Sequence, residues 1–177
     1  MKITGSKRTL LIVIIAAACA AVAAAAFFAL RHSTDAGRKG METGTGIANP
    51  FHGFDTMKDA EAYAGFTFSV PESVDGNSTQ GIDAIRDQLI EVRYYDSANN
   101  EMIMLRKGTG TDNISGDYNV YDVTFTEEVG DISVTMGGNG DTVSVAYWTD
   151  GKNAFAIDAQ DHPVTKELAE ELVGEMK

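Results

Sequence analysis

The chain has 177 residues, with 14 Lys+Arg against 26 Asp+Glu, 44% hydrophobic residues and a single Cys. That length favours one domain over two, and those apolar and charged fractions belong to a folding chain rather than a disordered one. A net charge of −12 works against nucleic acid, which is held by clustered Lys and Arg neutralising phosphates, and one Cys excludes an internal disulfide framework or a Cys-rich metal site.

Residues 1–8 form a basic N-terminal segment carrying Lys2, Lys7 and Arg8. The run that follows, 9–30, is uncharged for 22 residues. As a helix it would span about 33 Å, enough for a bilayer core of about 30 Å. Its first part, from Leu10 to Ile15, is strongly apolar; the rest is mostly Ala. The length favours an uncleaved transmembrane anchor. A cleavable signal peptide is the alternative, because Ala24, Ala25 and Ala26 supply small residues for a peptidase. Arg31, Arg38 and Lys39 balance the basic residues before the run, so the positive-inside rule is tied. The basic pair abutting the run still marks an export signal. The expected placement is therefore a single pass in the cell membrane with the C-terminal domain extracytoplasmic, or secretion if the leader is cleaved. Ala16-Ala17-Ala18-Cys19 vaguely resembles a lipobox, but the chain stays apolar for eleven residues after Cys19, where a lipidated Cys would begin a polar tether. Cys19 reads as a small apolar residue within the span.

Residues 31–48 are rich in Gly, Ser, Thr and charge, a composition that cannot build a core and reads as a flexible linker. From Asn49 to Lys177 there are 24 Asp+Glu and 8 Lys+Arg, a formal −16. The acids are spread rather than blocked, which keeps the domain soluble and away from anionic lipid. One functional reading of this surplus is cation capture; the simpler one is a solvated acidic surface.

In chain order the domain opens with a predicted helix. Thr56 caps it, Asp59 stands three residues on, Gly65 stops it, and Met57, Ala60 and Ala64 share a face. The apolar period then changes to two. Phe66, Phe68 and Val70 predict a strand ended by Pro71, and Ile90, Val92 and Tyr94 predict another. Asn99-Asn100 marks a turn, and Met102 to Leu105, apolar on both faces, predicts a central, doubly covered strand. Tyr121, Val123 and Phe125, then Ile132, Val134 and Met136, alternate again. Asn139-Gly140 predicts a hairpin with positive φ at both residues, leading to Val143, Val145 and Tyr147 on one face. Asp150-Gly151 predicts a second hairpin, leading to Phe155 and Ile157. After Pro163, Thr165 caps a final helix with Val164, Leu168, Leu172 and Met176 as its apolar stripe. The expected class is α+β: an antiparallel, meander-like sheet of about six to eight strands with an N-terminal and a C-terminal helix on one face.

The combination of Asn49-Pro50, a short Ala-rich helix, Gly65-Phe66, Ile114-Ser115-Gly116-Asp117-Tyr118 and the run from Val143 to Gly151 resembles an uncharacterised family of extracytoplasmic bacterial proteins, a domain of unknown function. In that family the domain sits behind an export signal or membrane anchor, and relatives are fused to anti-sigma-factor-like segments. The resemblance runs from Asn49 to the C-terminus. It implies an anchored extracytoplasmic domain and carries no catalytic or ligand residues with it. Only a few residues precede the span here, so it implies no sigma-binding segment.

The chemical motifs point to no reaction. Asp112, Asp117, Asn119 and Asp122 are the best metal candidates, since calcium takes six to eight oxygen ligands. The EF-hand test fails, because the sixth position from Asp117 is Asp122 rather than Gly and strands flank the loop; Ser115-Gly116-Asp117 reads more simply as a turn. No other cofactor is expected: His32, His52 and His162 are isolated, and Gly137-Gly138-Asn139-Gly140 lacks the Lys and helix of a phosphate cradle. Ser115 lacks the first Gly of a nucleophile elbow, and His162 as its base is a thin pairing. Tyr95 and Trp148 are candidates for an aromatic binding platform on an open sheet face, if Tyr147 faces the core. The leading expectation is a membrane-tethered extracytoplasmic domain, attached through residues 9–30, that binds or senses an envelope protein or ligand without catalysis. The alternatives are a secreted or anchored hydrolase using scattered Asp and Glu, and an accessory subunit of an envelope complex. A concave pocket with converging carboxylates and a perturbed pKa would favour the hydrolase.

Overall fold

Period-two alternation becomes one antiparallel sheet. The structure, a computed structural model, describes residues 49–177, and Ala48–Lys177 forms one unit. The predicted span over 9–30, Cys19 and the linker over 31–48 lie outside the described residues. Among the described residues no helix is long and apolar enough to cross a membrane.

The elements run β1 (His52–Phe54), α1 (Met57–Ala64), β2 (Thr79–Ile85), β3 (Leu89–Tyr95), β4 (Glu101–Thr109), β5 (Val123–Val129), β6 (Ile132–Gly138), β7 (Thr142–Thr149), β8 (Asn153–Asp158), β9 (Val164–Thr165) and α2 (Lys166–Glu175). The sheet order is β1-β2-β3-β4-β8-β7-β6-β5, with β9 paired to β7. Every pairing is antiparallel. Two meanders thus meet at β4 and β8. The nine strands exceed the expected six to eight because short β1 and β9 and the glycine-containing β2 carry no clean alternation.

The helix ends follow their capping chemistry. Thr56 Oγ1 accepts from Asp59 N at 3.2 Å, and Gly65 closes α1 at φ 79°. Thr165 Oγ1 accepts from Leu168 N at 3.2 Å to start α2. Ala60 and Ala64 of α1 and Ala169, Leu172 and Val173 of α2 enter the same core cluster. Their sheet partners form a row of cross-strand neighbours, Val92, Leu105, Ile157, Ala146, Met136 and Phe125, which share a face because directly paired residues point the same way. Truncating the fully buried Ile157 in such a row costs about 2–5 kcal/mol.

The predicted strand over Phe66 to Val70 does not form: Phe66 lies in a bend and residues 67–70 join no ladder. Other groups hold it over the core. Glu61 Oε1 accepts from Phe68 N at 2.8 Å, Lys107 Nζ donates to Thr67 O at 2.9 Å, and Ser69 exchanges backbone bonds with Lys177. Tyr94 Oη donates to Pro71 O at 2.6 Å, and burial pushes that hydroxyl's pKa up. Its alternation is that of a strap with one face on the core.

A β-bulge corrects the predicted faces of β7. Gly138 pairs Val143 while Gly137 pairs Val145, so Ser144 is the extra residue. Val143 points into the core, the bulge inverts the alternation, and Ala146 and Trp148 follow it inward. Val145 and Tyr147, expected beside Val143, face the other side. A Cβ on Gly138 would lie 1.9 Å from Thr142 O, so the bulge needs glycine there. The Asn139-Gly140 hairpin forms, but only Gly140 has positive φ, at 104°; Asn139 instead accepts from Thr142 N through its side chain at 3.3 Å.

The second face is polar and yet covered. β4 and β5 lie far apart in the sheet, so residues 110–122 must cross this face to join them. Beneath the crossover, Asp83, Glu91, Arg106, Ala156 and Tyr147 make a cross-strand row. Glu91 is fully buried. Arg93 grips one of its oxygens, and Arg106 Nε donates to the other at 2.6 Å. Arg106 Nη1 also donates to Ile114 O at 3.0 Å and Ser115 O at 2.6 Å, which pins the crossover.

Removing one partner of such a buried network leaves uncompensated charge. Glu91→Ala is expected to cost about 3–5 kcal/mol in urea unfolding, while Glu127→Ala, which breaks the exposed pair with Lys166, should barely move the midpoint. A second expectation concerns acid. Asp150 accepts from Asn153 Nδ2 and from Asn153 N and Lys152 N, and these bonds hold its carboxyl below the usual range. Its stabilisation is in place above an ordinary Asp pKa of about 3.9 and is lost as pH falls through the lower folded value. Asp150→Asn should therefore flatten the fall of the urea midpoint between pH 4 and pH 2.

Candidate functional site

A second bulge shapes the concave end of the sheet. Tyr94 pairs Ile103 and Tyr95 pairs Glu101, leaving Met102 as the extra residue of β4. Met102 and Ile103 line a groove of about 740 Å³ between loop residues 74–77 and the start of α2. Apolar parts of Val74, Met102, Ile103, Pro163, Val164 and Leu168 line it. Asp75, Asp161, Glu167 and Glu171 also line it, together with His162. Among the described residues none of these four acids forms an ion pair. The loop is held by the Val74–Asn77 bridge and by Asp75 at φ 48°.

Two smaller hollows adjoin the groove through shared residues. One, about 120 Å³, is lined by Glu101, Asp158, Gln160 and Asp161 around Met102 and Ile103. Burial pushes the Glu101 carboxyl up; Arg93, 3.5 Å away, pulls it down, and the negative charges of Glu91, Asp158 and Asp161 push it up again. Asp158 is committed to Gln160, accepting from its N at 3.2 Å and its Nε2 at 2.8 Å. The other hollow, about 460 Å³, continues along α2 past Glu72, Glu171 and Glu175. Among the described residues no Lys or Arg lines any of the three.

Five of the eight basic side chains between Asn49 and Lys177 are engaged in other places. Arg93 and Arg106 hold Glu91, Arg86 lies 4.3 Å from the Tyr63 ring centroid, and Lys107 bonds Thr67 O above the Phe155 ring. Lys166 of α2 reaches away to Glu127 at 2.6 Å and to Glu170. Among the described residues the groove acids have no ion-pair partner.

The residues singled out in the sequence fall differently. Trp148 is 6% exposed and stacks on Phe155 with ring planes 4° apart, inside the helix-covered core. Tyr95 is half-buried on the opposite face, its ring 3.2 Å from where a Gly81 Cβ would lie. The two cannot form one platform, because the Ser144 bulge turned Trp148 inward. Of the four metal candidates, Asp117 accepts from Asn119 N at 2.7 Å and from the Tyr121 hydroxyl, Asn119 donates to Gln160, and Asp112 and Asp122 are exposed. Burial and the bond to Asp117 push the Tyr121 hydroxyl up to about 12. The segment is a hydrogen-bonded turn, and among the described residues no three His, Cys, Asp or Glu stand where they could hold a metal ion. Ser115 is a buried residue of the crossover itself, its Oγ accepting from Asp117 N at 3.2 Å, while His162 lines the groove. Among the described residues no hydrogen bond joins them.

Sequence reasoning missed the groove, because its walls come from three separated stretches, 74–77, 102–103 and 161–171, that no local pattern links.

The single Trp makes the core placement measurable. Trp148 should show blue-shifted emission, with acrylamide quenching several-fold weaker than that of free tryptophan; free-tryptophan quenching would return it to an open face.

No family model, characterised protein or solved structure matches this chain.

Proposed function

We propose that this chain is a membrane-tethered extracytoplasmic binding domain of α+β build, its groove between loop 74–77 and α2 serving as the surface that engages an envelope partner. The observation that carries the reading is the groove itself: open, about 740 Å³, with an apolar lining and four carboxylates that form no ion pair among the described residues. Volumes of about 300–1,000 Å³ with an apolar lining and a few placed polar groups are typical of binding sites. The uncharged run over 9–30 and the linker over 31–48 support the tether, and the resemblance to anchored extracytoplasmic domains points the same way. A tether raises the effective concentration of the domain near other membrane proteins, which suits a binding role or that of an accessory subunit.

The hollow at Glu101 favours a second reading, hydrolysis. Glu101, raised by burial, would be the general acid, and Asp161, free of ion pairs among the described residues, the second carboxylate. The arrangement is weakened by Arg93, which pairs with Glu101 in place of a substrate.

Two measurements separate these readings. A C-terminal alkaline phosphatase fusion should be active in cells and lose activity when residues 1–30 are deleted; a fusion active only as cytoplasmic β-galactosidase overturns the extracytoplasmic placement. Turnover of chromogenic glycosides that Glu101→Gln abolishes at unchanged stability would replace binding with hydrolysis.

A further inference from the structure

We infer that the occupant of the groove is a cationic amphipathic peptide segment of a partner protein, with apolar side chains laid on Met102, Val164 and Leu168 and Lys or Arg side chains reaching the carboxylates on both walls. The inference rests on the reading that the groove is the binding surface, and adds the chemistry of what enters it.

The floor sets the apolar half of the occupant. Met102 is the unpaired residue of a bulge, Val164 sits in two-residue β9, and Leu168 is the half-buried position of α2 between capped start and buried stripe. All three stay half-exposed, Val164 and Leu168 packing only partly against the core, while Leu172 and Met176 of the stripe are buried. An unbranched thioether beside two branched side chains adapts to varied apolar partners.

The rim sets the charge. Glu167 and Glu171 are exposed four residues apart on α2, a like-charge spacing that weakens a helix by itself. The nearby Lys166 does not relieve them, because it is turned to Glu127 and Glu170. Asp75 faces them from the loop and Asp161 stands where the groove meets the Glu101 hollow. Among the described residues His162 is the only basic side chain lining the groove. A cationic segment satisfies both walls at once, and the apolar floor supplies contact area that a bare cation could not use. Charge complementarity of this kind speeds encounter and selects partners, while the apolar floor supplies burial.

The domain's formal −16 would also attract cations diffusely, so the test separates site from field. The full chain is placed in phosphatidylcholine nanodiscs, with empty discs as the blank, and titrated by fluorescence anisotropy. The probes are an amphipathic Leu/Lys peptide, a Leu/Gln peptide, a Leu/Glu peptide and a Ser/Lys peptide of equal length. The Leu/Lys peptide is expected to bind at least tenfold more tightly than the other three. The double reversal Glu167→Lys with Glu171→Lys should weaken it at least tenfold. Asp131→Lys with Asp141→Lys, the same charge change at exposed turns outside the groove, should weaken it less than threefold. Equal losses from the two reversals, or equal binding of the Ser/Lys peptide, would reduce the effect to the diffuse field and overturn the inference. Equal binding of the Leu/Gln peptide, lost on Leu168→Asp, would overturn the inference while leaving the groove as the binding surface. Leu/Lys binding that appears only when residues 31–48 are deleted would assign the groove to the chain's own linker, which carries Arg31, Arg38 and Lys39, and overturn it as well.

Discussion

A carboxylate with no exposure, gripped by two guanidinium groups, is the interaction on which this architecture depends. Glu91 sits at the centre of a sheet face that the chain has to cross, because β4 and β5 are far apart in the strand order. A crossover over an apolar face would bury backbone carbonyls without partners. Arg106 resolves this by donating to Ile114 O and Ser115 O while Glu91 neutralises it from below. Gly116, at φ 73°, approaches Arg106 so closely that a Cβ there would lie 2.5 Å from Nη1. Charge, beside the buried Met104, Val145 and Ala156, therefore seals the second face. Such networks add little net stability over an apolar equivalent but are costly to break, and here the network also sets where the crossover lies.

The same commitment explains the groove. Two arginines spend their charge on Glu91, and Lys107 is drawn inward to Thr67 O, its pKa lowered by burial. With few bases in the domain to begin with, the acids around α2 and loop 74–77 are left facing one another across an apolar floor. The cationic occupant proposed for the groove is chosen to complement that distribution of charge.

Several elements were legible in the residues. Thr56, Asp59 and Gly65 mark α1 to its ends, because capping is local chemistry within a few residues. Met102 to Leu105 marked a doubly covered strand, and β4 lies in mid-sheet with Met104 and Leu105 buried on opposite faces. Phe66 to Val70 misled because a strap with one face on the core has the alternation of a strand, and only its hydrogen-bond partners distinguish them. The β7 faces misled for a related reason. Val143, Val145 and Tyr147 keep a period of two in the sequence, while the Ser144 bulge breaks it in space; the local sign was the pair Gly137-Gly138, which had been weighed against a phosphate loop and not for a bulge.

By itself the sequence determined the antiparallel sheet, its two capped helices and the acidic surplus, because periodicity, capping and composition act between near neighbours or sum over the chain. The tertiary structure alone decided that Glu91 is a buried anchor rather than one more surface acid, that Trp148 is core, and that Asp75, Met102, Asp161 and Glu171 share a groove. Each of those outcomes depends on register and strand order, which bring together residues far apart in the chain, and a single extra residue in a strand is enough to exchange one face for the other.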